Sequence, residues 1–173
     1  WTGSAQGTYN GDRVAASLGV RKLEDDGFRT NNEQDTTVYT GFVEFAPTER
    51  DTVQLNAIFA DRETGDLPLH QIPIFAYPGT ISTDEWNVGL GWHRRQSAAI
   101  DFAASAIWND TQQQAIVSGA VVGEARLKGP QVEGQVVYRQ RRLTWVGGGG
   151  FFDGTLDRET VGAAAEKFGN LYG

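Results

Sequence analysis

The sequence contains no cysteine. A disulfide framework, a thiolate metal centre and a cysteine nucleophile are therefore excluded. No apolar run approaches the ~20 residues that a membrane-crossing helix needs. Basic residues are outnumbered: 15 Lys and Arg against 22 Asp and Glu give a net charge of −7. That balance argues against a nucleic-acid partner held by a basic surface. Helical segments are scarce too. Only Arg158–Phe168, RETVGAAAEKF, has helical composition, and it reads as a loop leading into a strand. A chain of 173 residues suffices for one domain with a sizeable core. Without a long apolar helix, it is either a soluble domain or a membrane β-barrel. Trp1 is not an initiating residue, so a processed form or a piece of a longer polypeptide is expected.

What is abundant is alternation. Residues 85–95, EWNVGLGWHRR, put Trp86, Val88, Leu90 and Trp92 on one parity and Asn87, Gly89, Gly91 and His93 on the other. Period two is the strand signal. It recurs at 1–10, 14–21, 36–45, 53–60, 100–108, 121–127 and 132–139, with further strands expected at 143–152 and near 163–172. The connections alternate as well. Asn10–Arg13 is tight and carries the Asn-Gly pair that favours positive φ. Glu24–Asp35 is long, Ala46–Asp51 short, Asp61–Glu85 very long, Arg94–Ala99 short, Asn109–Gly119 long and Gly129–Gln131 tight. Gln140–Arg142 then breaks the rhythm by being short.

A soluble sandwich or small barrel also alternates, with large branched residues facing a packed interior. Three features favour a membrane barrel. Aromatics cap strands on the apolar parity: Trp1 and Tyr9, Tyr39 and Phe45, Trp86 and Trp92, with Trp108 and Tyr138 each at one end. Such rings occupy the two interfaces of a transmembrane barrel. The same parity is rich in Gly and Ala at mid-strand, including Ala5, Gly7, Ala57, Ala104 and Ala106. A close-packed core would be left with voids there, at about 1 kcal/mol per missing methyl, whereas lipid chains flow into them. Short and long loops alternate when one side faces the periplasm and the other the exterior.

Residues 23–35, LEDDGFRTNNEQD, with Thr37–Phe45, Pro47 and DTVQLNAIFADRETGDL at 51–67, resemble the barrel domain of large Gram-negative outer-membrane proteins. The likeness is to TonB-dependent-receptor-like barrels and to barrels attached to tetratricopeptide-repeat segments. The Asp26-Gly27-Phe28-Arg29 and Asn31-Asn32 loop, the Pro-containing turn and the charged strand exit at 61–66 carry it. The resemblance implies an all-β, antiparallel, up-and-down transmembrane β-barrel of about 8–10 strands in this chain, in the bacterial outer membrane, with lipid as its partner. No plug domain, TonB box or repeat helices are recognisable, and the C-terminal NLYG lacks a closing Phe or Trp. Open edges in lipid cost several kcal/mol per unpaired group, so either these strands close as a small barrel or further strands or partner chains complete the sheet.

The polar parity supplies the candidate lumen residues: Asn87, His93, Asp101, Glu124, Arg126, Glu133, Gln135 and Arg139. Arg126 and Glu133 flank the expected tight turn and are placed to pair across it. Such a mixed-sign interior lines a water-filled channel, or fills a narrow barrel with salt-bridged side chains. His70 and His93 have no evident metal-binding partners. The acidic loop at 24–35 does not follow EF-hand spacing. Gly147–Gly150 lacks the Lys-Ser or Lys-Thr of a phosphate loop, so close backbone approach or curvature is its expected use. No nucleophile motif such as G-x-S-x-G appears. The expectation is no enzyme, no metal and no cofactor. The apolar middle of 61–85 is expected to fold inward as a constriction or to dock on a partner. Three functions stay open: a channel or transport barrel with a polar lumen, a non-conducting anchoring subunit of a larger membrane assembly, and a soluble β-sheet binding domain.

Overall fold

Nine strands follow one another without a crossover. The computed structural model describes residues 1–29, 31–66, 79–158 and 164–172. The strands are β1 (Thr2–Asn10), β2 (Val14–Asp25), β3 (Gln34–Phe45), β4 (Asp51–Asp66), β5 (Gly79–Arg95), β6 (Ile100–Val117), β7 (Ala120–Gln140), β8 (Leu143–Arg158) and β9 (Ala164–Tyr172). They form one sheet in sequence order, and every neighbouring pair is antiparallel. No described residue is helical. The all-β, up-and-down expectation stands, and 164–172 is a strand rather than part of a helix.

Of the two expected arrangements, closure of these strands into a small barrel by themselves is not what the structure shows. β1 and β9 make no contact with one another, so the sheet is open at both edges. The cause is topological. Nine is an odd number, and in a meander the first and ninth strands run in the same direction. They cannot join by the antiparallel pairing used everywhere else in the sheet.

Two loop expectations are corrected. Gly129–Gln131 is not a turn but the middle of β7. Asn109–Gly119 is not a long loop, because β6 runs on to Val117 and pairs with Ala120. The reversal is the two-residue turn Ser118–Gly119, with φ of 52° and 79°. Both values suit the tight turn whose twist matches flanking strands. This moves Gln140–Arg142 back into line. The connections at 11–13, 46–50, 96–99 and 141–142 all lie at one end of the sheet and are short. The segment 61–85 is also mostly strand at its ends, through Asp66 and from Gly79. Its apolar middle, with His70, lies outside the described residues.

There is no packed core. Among the described residues, Ala60 is the one buried apolar residue, and no large side chain is fully buried. The sheet is a single layer, and most of its exposed large apolar side chains lie along one face, with Ile58, Leu127 and Phe168 on the other.

Candidate functional site

The pairing register sorts the side chains into two faces, because residues opposite one another across a ladder lie on the same side. Phe45 faces Val53, which faces Trp92; Tyr39 faces Phe59, which faces Trp86. On each strand the two ends of this apolar stretch are six residues apart. The same width recurs at Val14–Val20, Phe102–Trp108, Val132–Tyr138 and Trp145–Phe151. Between these ends the face carries only Gly, Ala, Val and Leu: Ala16 and Leu18, Gly41 and Val43, Leu55 and Ala57, Val88 and Leu90, Ala104 and Ala106, Gly134 and Val136, Gly147 and Gly149. Two rows of mostly aromatic rings therefore bound one continuous apolar band, about 20 Å wide along the strands.

The rows also slant together. From β5 to β6 both step two residues towards the short turns: Trp108 lies opposite Val88 rather than Trp86, and Phe102 opposite Arg94 rather than Trp92. From β6 to β7 both step again, to Val132 opposite Ala106 and Tyr138 opposite Ile100. From β3 to β8 the shift is about 14 Å over about 24 Å of sheet. A band bounded by two parallel planes thus crosses the strands with a tilt of about 30°, near the 35–45° of transmembrane strands.

Charge begins one side-chain step past each row. Asp51 and Arg94 lie beyond the short-turn row; Lys22, Asp61, Asp84, Asp110 and Asp153 lie beyond the other. The Trp92 indole points its polar edge outward to these groups. Trp92 Nε1 donates to Asp51 Oδ1 at 3.3 Å, and Trp86 lies opposite Asp110 across the β5–β6 ladder. Phe59 and Trp86 stack across the β4–β5 ladder, with centroids 6.5 Å apart and planes at 5°. Asp110, just outside the band, accepts from Arg126 Nε at 2.8 Å and Nη2 at 2.6 Å. This bond holds its carboxyl below the usual aspartate range against the opposing effect of burial. At the other rim, the Thr48 hydroxyl, with Arg94 beside it, holds Asp51 low in the same way.

The eight aromatic candidates divide cleanly. Tyr9, Phe45, Trp92 and Tyr138 belong to the short-turn row, and Tyr39, Trp86 and Trp108 to the other. Trp1 lies beyond that row, with its indole donating to Glu24. Phe59, Phe102, Trp145 and Phe151 complete the rows. The six-residue spacing of 102–108 and 145–151 was the signal available for three of them.

The opposite face carries most of the Ser, Thr, Asn and Gln of the strands with scattered charges, interspersed with apolar residues that include Phe42, Ile58, Ile107, Val137 and Phe152. Asn87, His93, Asp101, Glu133, Gln135 and Arg139 all lie on it. Asn87 donates to Glu85 at 2.7 Å, Gln54 donates to Glu44 at 2.8 Å, and the Tyr172 hydroxyl donates to Glu133. Arg139 is ion-paired with Asp101, with His93 Nε2 3.7 Å from the same carboxylate. Glu124 and Arg126 are not on this face. Because β7 is continuous, they share parity with Val132 and Trp108, and Arg126 pairs with Asp110 rather than with Glu133. Gly148 stays close-packed, since a Cβ there would sit 2.5 Å from the Gly134 carbonyl oxygen. Among the described residues, no three His, Cys, Asp or Glu side chains group as metal ligands.

Compared with known proteins, the chain matches no protein-family model, no curated protein and no solved structure.

Proposed function

We propose that β1–β9 form part of the wall of an outer-membrane β-barrel that acts as a channel or transport barrel. The apolar band faces lipid, and the opposite face lines an aqueous lumen. The observation that carries this reading is the pair of aromatic rows, of constant separation and common slant, enclosing a face free of polar side chains. A soluble sheet would need a second layer to cover that face, and the described residues supply none. The likeness of residues 23–67 to TonB-dependent-receptor-like barrels points the same way.

A bacterial outer-membrane barrel has an even number of strands. On this reading the nine strands are completed by an odd number of further strands, pairing with the free edges of β1 and β9. Direct closure would demand one parallel pair and is set aside. The second reading, a non-conducting wall that anchors a larger assembly, shares everything except an open lumen. Planar-bilayer recording on the complete polypeptide separates the two: stepwise current supports the channel, and its absence leaves the anchor. A protein that stays folded and monomeric in plain buffer without detergent would remove both.

A further inference from the structure

At the short-turn end of the polar face, guanidinium groups outnumber carboxylates. Arg50, Arg95 and Arg139 surround a cleft of about 550 Å³ that also contains Asp101 and Ser97. Their convergence follows from the register. Arg95 lies opposite Asp101 across β5–β6, and Asp101 lies opposite Val137, one side-chain step from Arg139. Arg50 immediately precedes β4 on the parity of Thr52 and Gln54, and its carbonyl accepts from the Arg95 backbone N–H at 2.8 Å. Asp101 is the one carboxylate lining the cleft, and it is committed to Arg139. Among the described residues, the side chains of Arg50 and Arg95 make no hydrogen bond and no ion pair. Two guanidinium forks with free N–H donors, Arg95 feeling the Asp101 charge only at longer range, in a concave, polar setting match the geometry of an oxyanion, which accepts paired N–H bonds from each.

We propose that this cleft binds a small free oxyanion of the phosphate or carboxylate class. On the channel reading, it makes the short-turn mouth anion-selective. Only that second statement rests on the channel. Arg94 provides an internal control, because it is adjacent to Arg95 but lies on the band face and is held by Asp51 at 3.3 Å.

The test is calorimetric titration of inorganic phosphate into the complete polypeptide in detergent micelles. Wild-type protein should bind, Arg50→Gln and Arg95→Gln should each weaken binding about tenfold, and Arg94→Gln should leave it unchanged. All three substituted side chains are at the rim of a solvated sheet, so tryptophan fluorescence should report unaltered folding. No binding by the wild type, or wild-type affinity in either Arg50→Gln or Arg95→Gln, overturns the site. Loss confined to Arg94→Gln also overturns it and places the anion on the lipid side, as a headgroup would be. Reversal potentials across a potassium chloride gradient then address selectivity. Anion preference that falls in Arg95→Gln supports the mouth, and cation preference in the wild type overturns it. Phosphate binding without any current would retain the site and discard the channel.

Discussion

Leu90 and Gly91 are chain neighbours, yet an arginine at each should have very different consequences. Leu90 lies near the middle of the band, paired with Leu55 on β4 and Ala106 on β6, and is 53% exposed. If that exposure is to lipid, Leu90→Arg places a charge near the bilayer midplane, at about 2–4 kcal/mol. The folding equilibrium should fall roughly thirty- to several-hundred-fold, taking 1.4 kcal/mol per decade. Gly91 points the other way, between Gln54 and Ser105. An added Cβ there meets Gln54 Cβ and Oε1 at 3.7 Å, an ordinary contact. A longer side chain can continue into the cleft formed with Thr52, His93, Glu133 and Gln135. Glycine is also a poor strand residue, so replacing it loses no intrinsic preference. Gly91→Arg should therefore cost less than about 1 kcal/mol. Reversible urea unfolding from lipid vesicles, followed by tryptophan emission, measures both. Equal destabilisation, or a larger effect at Gly91, would refute the assignment of the faces and with it the membrane reading.

Other consequences are sharp enough to measure. The absence of native cysteine makes a disulfide test clean: Gln6→Cys with Asn170→Cys should form no intramolecular bond under oxidation in native membranes, and an efficient β1–β9 bond would show direct parallel closure. Asp110→Asn removes the bidentate partner of Arg126. Because the folded Asp110 carboxyl titrates below its ordinary value of 3.8, its stabilisation is fully present above that value and disappears as pH falls through the folded pKa. Urea midpoints for wild type and variant should thus differ at pH 7 and converge as the pH falls below the lowered folded value; a gap that widens on acidification would be the wrong sign. Gly119→Val should destabilise the β6–β7 turn by about 1–2 kcal/mol because of its positive φ, while Ser118→Asn should be neutral or stabilising in the same melt.

The parity of residues 39–45 and 86–92 was legible from composition alone, because both ends of each stretch are aromatic. The hairpin rhythm located most strands for the same reason, with turn residues falling where alternation stopped. Gly129-Pro130-Gln131 misled by its turn composition. In the sheet, Pro130 lies opposite Trp108, and its missing N–H falls at an interruption of the β7–β8 ladder, between the Lys128 and Gln131 pairings. A proline tolerated in that way leaves no local mark distinguishing it from a turn. Closure was not legible at all. Whether a meander returns to its own first strand depends on strand count, and the count changed once two expected strands merged into β7.

The same merger shows why parity stopped predicting orientation at Glu124 and Arg126. The reasoning that charged residues face a lumen holds only where the other face meets lipid. β7 passes the long-loop row near Val132 and continues to Ala120, about 40 Å of strand beyond it. Over that length the parity that carries the band elsewhere is charged, with Glu124, Arg126 and Lys128 in line with Trp108 and Asp157 paired opposite Arg126 on β8, while the other parity carries Val121, Gly123, Ala125 and Leu127. The outer halves of β5–β8 therefore read as a solvated palisade standing on a short apolar base. On the proposed reading, one strand meets two environments along its length as well as across its width. A six-residue band crossed at about 30° projects to about 18 Å, less than the ~25 Å of a typical barrel. On the proposed membrane reading, the headgroup level lies just past the rows, at Asp110 and Asp51, where the Trp92 indole donates outward to Asp51, and this accounts for several of the missing ångströms. Moving that boundary is testable: Asp84→Leu should extend the band by one step and raise stability in thicker bilayers relative to thinner ones, whereas no dependence on acyl-chain length would put the boundary elsewhere.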